Sequence, residues 1–108
     1  MKAALSPAHH VETIATKIDA SHGTRITAKR IANDCEDNPA TWGRAPTSIA
    51  AAALYVAAKL CGEHLTQQEI ADAAGLSRET IRDNYPAIEE HVEGMDSIDA
   101  ASVEVPSQ

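Results

Sequence analysis

From residue 46 to residue 60 the chain reads PTSIAAAALYVAAKL, and wound into a helix this segment turns an apolar side chain in almost every direction. A helix without a polar face does not lie on a surface. It belongs at the centre of a bundle, covered by its neighbours. Pro46 stands at the first helical position, where an amide hydrogen has no partner in any case, and Gly62 stands where a helix closes in a left-handed residue. The small side chains of Ala50, Ala51, Ala52 and Ala53 allow neighbouring helices to come close.

The remainder of the composition agrees with such a bundle. The chain has 108 residues, enough for one domain, and aromatic residues make up 3% of it with no Phe. A core made from Ala, Ile, Leu and Val suits closely packed helices better than aromatic-rich strands. The most apolar run, residues 49–58, falls well short of the ~20 residues of a membrane span, and the first five residues do not form a secretory signal. No membrane association and a cytoplasmic location are therefore expected. Cys35 and Cys61 stand 26 positions apart, too sparse for a Cys-rich zinc site, and read as ordinary thiols near the core.

Five helical patterns and no strand can be traced. The first opens at Ser6 and Pro7, buries Val11, Ile14, Ala15 and Ile18 on one stripe, and is expected to end at Gly23. The second runs from about Thr24 to Glu36 with Ala28, Ile31, Ala32 and Cys35 inward. A turn-rich loop over 37–45 leads to the apolar third helix. Thr66 and Glu69 form a capping box that opens a short fourth helix ending at Ala74, with Gly75 in the turn. Ser77 caps a fifth helix with Ile81, Tyr85, Ile88 and Val92 inward, in which Pro86 predicts a kink or restart. The domain so defined covers residues 6–94, with a disordered start over 1–5 and an acidic flexible tail over 95–108.

Residues 66–85, TQQEIADAAGLSRETIRDNY, have the pattern of a helix-turn-helix, with the whole unit extending over 66–93. Such a unit needs a small residue facing the second helix (Ala71), a glycine in the turn (Gly75) and an apolar plug at the corner (Leu76). It also needs an apolar residue locking the second helix across the first (Ile81). The outward residues of the second helix are then Arg78, Glu79, Arg82 and Asp83. Arg82 can offer two parallel hydrogen bonds to a guanine edge, Glu79 can accept from a cytosine amino group, and Arg78 suits a phosphate or a base. Gln67, Gln68 and Ser77 stand at helix starts that touch the DNA backbone in such a unit. For each arginine the competing reading is a solvated charge paired with Glu79 or Asp83.

The segments Gly43-Arg44-Ala45-Pro46-Thr47, residues 49–58 with Leu54-Tyr55, Thr66-Gln67-Gln68-Glu69-Ile70-Ala71 and Thr80-Ile81-Arg82-Asp83-Asn84-Tyr85 together resemble the second cyclin-like repeat of the archaeal transcription factor B family. The resemblance spans about residues 6–93 and is densest over 43–92. It implies an all-α, five-helix cyclin-like bundle with a C-terminal helix-turn-helix. It also implies a role in transcription initiation, joining TATA-binding protein on promoter DNA and reading the element upstream of the TATA box. By the same resemblance Arg82 takes the family's base-contacting position, and Arg44 a basic loop position near the phosphates. Glu79 replaces a usual Val, and Pro86 a residue compatible with an unbroken helix. The family's zinc ribbon and first repeat have no counterpart here, so RNA polymerase is expected to be met only through such domains. The chain reads either as an excised domain or as a short stand-alone relative, and as a monomer.

Sixteen acids against nine bases give a net charge of −7, which is unusual for a DNA binder. Residues 1–62 carry seven bases and five acids, whereas residues 63–94 carry two bases and eight acids. A halophilic source reconciles the two, because at molar salt the Debye length falls to ~3 Å and repulsion from DNA is screened. Trp42 reads as a lid on the third helix or as an anchor for TATA-binding protein. The five histidines are scattered without metal-ligand spacing, no cofactor motif is present, and no nucleophile motif or shared pair of acids suggests an enzyme. Two functions remain: a DNA-reading module, or a cyclin-fold module that docks a protein partner with little direct DNA readout.

Overall fold

Residue 20 is where the chain first turns back on itself, between helix α1 (Pro7–Ile18) and helix α2 (His22–Cys35). Three more helices follow: α3 (Pro46–Cys61), α4 (Gln67–Ala74) and α5 (Arg78–Glu93). The computed structural model describes residues 7–35 and 44–93. Among these residues the fold is all-α, the five-helix arrangement expected of a cyclin-like domain. None of these helices is long and apolar enough to cross a membrane.

The apolar segment lies at the centre. α3 packs against each of the other four helices, most extensively against α2 and α5. Its residues 48–54 and 56–58 are buried, and Ala50, Ala51, Ala52 and Ala53 are fully enclosed. With so little side-chain bulk on α3, the larger groups come from its neighbours, among them Val11, Ile31, Ile70, Ile81 and Ile88, all fully buried. Removing such groups from water stabilises the fold by roughly 1.5–3 kcal/mol each. Leu60 departs from the pattern. It belongs to the last turn of α3 and is exposed.

The helix ends follow local chemistry. Gly62 closes α3 and Gly75 closes α4, both with positive φ and with their amides bonded back to the last turn. The capping box is complete: Thr66 Oγ1 accepts from the Glu69 amide at 3.0 Å, and Glu69 Oε1 accepts from the Thr66 amide at 2.9 Å.

Three expectations are corrected. Gly23 does not end α1 but lies in the first turn of α2, and the left-handed residue at the corner is Asp19, at φ 55°. Aspartate tolerates that region better than most side chains, and Ser21 starts α2 early by accepting from the Thr24 amide at 3.3 Å. Pro86 does not restart α5, which runs from Arg78 to Glu93 as one element. Its stripe holds across the proline, with Ile81, Ile88 and Val92 buried and Tyr85 half-buried, so packing on α3 outweighs the lost backbone bond. The thiols differ: Cys35 is buried, and burial pushes its pKa up to about 11, whereas Cys61 is exposed beside Thr27. Ser6, Glu36, Trp42, most of the 37–45 loop and the tail expected over 95–108 lie outside the described residues.

Candidate nucleic-acid interface

α4 and α5 meet at a turn held from both sides. Leu76 donates its amide to the Ala71 carbonyl at 2.9 Å, and Gly75 to Asp72 at 3.4 Å, so the chain leaves α4 in a tight left-handed corner. Ile70, Ala71 and Ile81 are fully buried and Leu76 packs against the core, which locks α5 across α4. α5 is then capped by Ser77, whose hydroxyl accepts from the Thr80 amide at 3.2 Å and lies 2.9 Å from the Thr80 hydroxyl.

This arrangement turns Arg78, Glu79, Arg82 and Asp83 outward, and all four are exposed. Arg82 Nε lies 3.8 Å from Asp83 Oδ1, with the two side chains 60% and 71% exposed. A pair so open to solvent is worth well under about 1 kcal/mol, so an acceptor in a groove can take the guanidinium away from Asp83 at small cost. Gln68 is exposed and donates to Asp72 Oδ1 at 2.8 Å, while Gln67 is half-buried. Gln67, Gln68 and Arg78 border a shallow groove of about 400 Å³ together with Tyr55, Lys59 and His64.

Two of the residues named from the sequence have work inside the fold. The Ser77 hydroxyl is engaged by the α5 cap. Arg44 is half-buried and donates from Nη1 to Asn84 Oδ1 of α5 at 2.6 Å. Arg44 therefore borders the flank of the same helix that presents Arg82. Sequence reasoning missed Asn84, because a pairing across 40 positions leaves no periodic trace. It also missed the cluster on the other flank. There Tyr55 and Tyr85 meet edge to face with centroids 4.9 Å apart, and Lys59 Nζ lies over both rings, at 5.5 and 5.2 Å. Lys59 also bonds Glu89 Oε2 at 2.8 Å, and that bond holds its pKa above the ordinary lysine value. The i, i+4 relations of Tyr55 with Lys59 on α3 and of Tyr85 with Glu89 on α5 were the local signals available.

Glu89 and Glu90 are separated in use, the first on Lys59 and the second exposed, so they do not form a shared acidic pair. Among the described residues no group of three or more His, Cys, Asp or Glu side chains is placed to hold a metal ion. The surface formed by α4 and α5 thus presents two arginines among Glu69, Asp72, Glu79 and Asp83, all exposed.

Comparison with known proteins places this sequence among relatives. The sequence profile of the family described as the transcription factor TFIIB repeat matches residues 2–91. The chain is 35% identical over 88 residues to a transcription initiation factor IIB of Methanosarcina mazei. It is 40% identical over 85 residues to that of Archaeoglobus fulgidus, and 38% identical over 88 residues to that of Methanococcus aeolicus. These alignments cover 82%, 79% and 82% of this chain. The chain spans about a quarter of the length of these curated relatives, 26% in each case.

Proposed function

Because the chain belongs to the transcription factor TFIIB repeat family, whose members are transcription factors rather than enzymes, we propose that it is a DNA-reading module of an archaeal initiation machinery. In this reading it corresponds to the second repeat. α4 and α5 act as a helix-turn-helix, α5 enters the major groove by its first turns, and the domain joins TATA-binding protein on the element upstream of the TATA box. The observation that supports it most is the locked corner at Ala71, Gly75 and Ile81, combined with a solvent-exposed Arg82 whose ion pair is weak. Arg82 takes a guanine edge, Arg78 a phosphate or base, and Glu79 a cytosine amino group, with Asp83 at the rim. Gln67, Gln68 and Arg44 serve the backbone, Ser77 does so through the cap it forms, and the role of anchor for the partner protein is assigned to Trp42.

The acidity of this surface fits a cell interior rich in salt, where screening leaves hydrogen bonds and packing to act. It also favours a second reading, in which the module docks TATA-binding protein or another protein and DNA contact is incidental. An amide-shift titration of the labelled chain with an upstream-element duplex in molar potassium chloride separates the two. Shifts confined to residues 77–83 and abolished by Arg82→Ala support DNA reading, with a loss of about 1–3 kcal/mol. A response to TATA-binding protein without DNA, and none to the duplex, supports docking instead.

A further inference from the structure

We infer that Asn84 is a positioning residue that holds the DNA-reading turn of α5 through Arg44; the inference rests on the DNA-reading function proposed above. The Asn84 side-chain amide is used at both ends. Its Oδ1 accepts from Arg44 Nη1 at 2.6 Å, and its Nδ2 donates to the Thr80 carbonyl at 2.6 Å. A guanidinium can only donate and a carbonyl can only accept, so the partners themselves dictate which way the amide faces. Both bonds are part-buried.

The anchor at the other end sits at the entry to α3. Arg44 precedes Ala45 and Pro46, where the extended backbone of Ala45 leads into α3, and the Ala45 carbonyl accepts from the Ile49 amide at 3.0 Å. The tie therefore runs from the start of the most enclosed helix of the bundle to α5. On α5 it falls where the helix is weakest. Pro86 has no amide hydrogen to give the Arg82 carbonyl, so the backbone ladder is cut one turn beyond Arg82. Upstream of that cut, Ser77 caps the helix at Thr80, and Asn84 adds a side-chain bond to the carbonyl of the same Thr80. Arg82 lies between Thr80 and Asn84, on the single turn these bonds enclose. A two-pronged contact between arginine and guanine tolerates displacement of only about 0.5 Å, so the stiffness of this turn sets how sharply Arg82 can tell one base from another.

The full 108-residue chain carries the test. In the free protein, Arg44→Ala should move the Asn84 side-chain amide resonances, whereas Arg82→Ala should leave them in place. Amide signals that do not respond to Arg44→Ala overturn the tie without reference to DNA. Wild type, Arg82→Ala and Asn84→Ala are then used to select from a pool of randomised duplexes. Arg82→Ala identifies the base position that α5 reads. Asn84→Ala, with its helical circular dichroism retained, should lower the preference at that same position about three- to ten-fold, the effect of one lost hydrogen bond. In an Arg44→Ala background it should lower it no further. A uniform drop at every position, or a preference unchanged by Asn84→Ala while Arg82→Ala abolishes it, overturns the positioning role and leaves DNA reading intact. A wild type that selects no sequence instead refutes DNA reading, and the positioning role with it.

Discussion

Both carboxylate oxygens of Glu63 accept the backbone amide of Ser21, each at 3.2 Å, across 42 positions of sequence. Glu63 follows the left-handed Gly62 that closes α3, and Ser21 precedes the first turn of α2. The carboxylate also accepts from the hydroxyls of Ser21 and Thr24. It thus supplies an N-terminal cap to α2 from outside that helix, with its charge at the positive end of the helix dipole. One turn therefore ends α3 and starts α2.

This relation makes stability depend on pH in a defined direction. The hydroxyl of Thr24 is the main reason that the Glu63 carboxyl titrates below its ordinary value of 4.5, with further help from Ser21 and against partial burial. The unfolded chain binds the proton more readily than the folded one, so the contribution of Glu63 is full above about pH 4.5 and declines as the pH falls through its folded-state pKa. Glu63→Gln should cost roughly 1–2 kcal/mol near neutrality, a discounted value for a half-exposed charged bond. The difference from wild type should shrink on acidification. Glu12 shifts in the same direction, chiefly through its hydrogen bond with Lys29, so urea midpoints of the two proteins compared at each pH isolate the Glu63 share.

Gly75→Ala and Gly23→Ala should change stability in opposite directions. A methyl group at either position meets nothing within 4 Å, so only the backbone distinguishes them. Gly75 sits at φ 74°, where a Cβ is strained, and the substitution should cost about 1–2 kcal/mol. Gly23 lies in the first turn of α2, where replacing glycine by alanine removes freedom from the unfolded chain and should add roughly 0.4–1 kcal/mol. Thermal unfolding of the two variants beside wild type reads both signs.

The centre of α3 should refuse bulk. Ala53 has no exposed surface, and its neighbours on α3 are equally enclosed. Ala53→Leu forces methyl groups into a space already occupied and should destabilise by about 1–3 kcal/mol. Leu60→Ala on the same helix, at an exposed position, should cost far less. Equal losses in the two variants, read by denaturant unfolding, would contradict the central placement of α3.

Arg82→Ala should separate binding from folding. The side chain is 60% exposed and its ion pair with Asp83 is long, so the unfolding midpoint should move by no more than the equivalent of about 0.5 kcal/mol. Promoter binding should fall at the same time. A large loss of stability in this variant would mean that Arg82 supports the fold.

Local pattern carried much of this molecule. The all-apolar turns of α3, the Thr66 and Glu69 box, and Gly62 and Gly75 each state their role within a few residues, because helix periodicity and end-capping act over one or two turns. The burial of Ala71 and Ile81 and the outward placement of Arg78 and Arg82 follow from the same spacing. Where two local signals competed, reading them in isolation misled. Gly23 is a good helix terminator in general, but Asp19 already occupied the corner and Ser21 had already capped the next helix. Pro86 is a good helix breaker, but Ile88 and Val92 beyond it are held in the core.

The pairings that tie helix to helix left no such trace. Glu63 with Ser21, Arg44 with Asn84, Lys59 with Glu89 and His91 with Asp34 join residues 30 to 57 positions apart. The amino-acid order alone was enough to decide that the described residues make five helices around an alanine-rich centre, and which side of the fifth faces outward. Which polar groups meet was settled only when packing on α3 brought distant helix ends together, because a hydrogen bond is selective over a few tenths of an ångström and periodicity does not encode distance between elements.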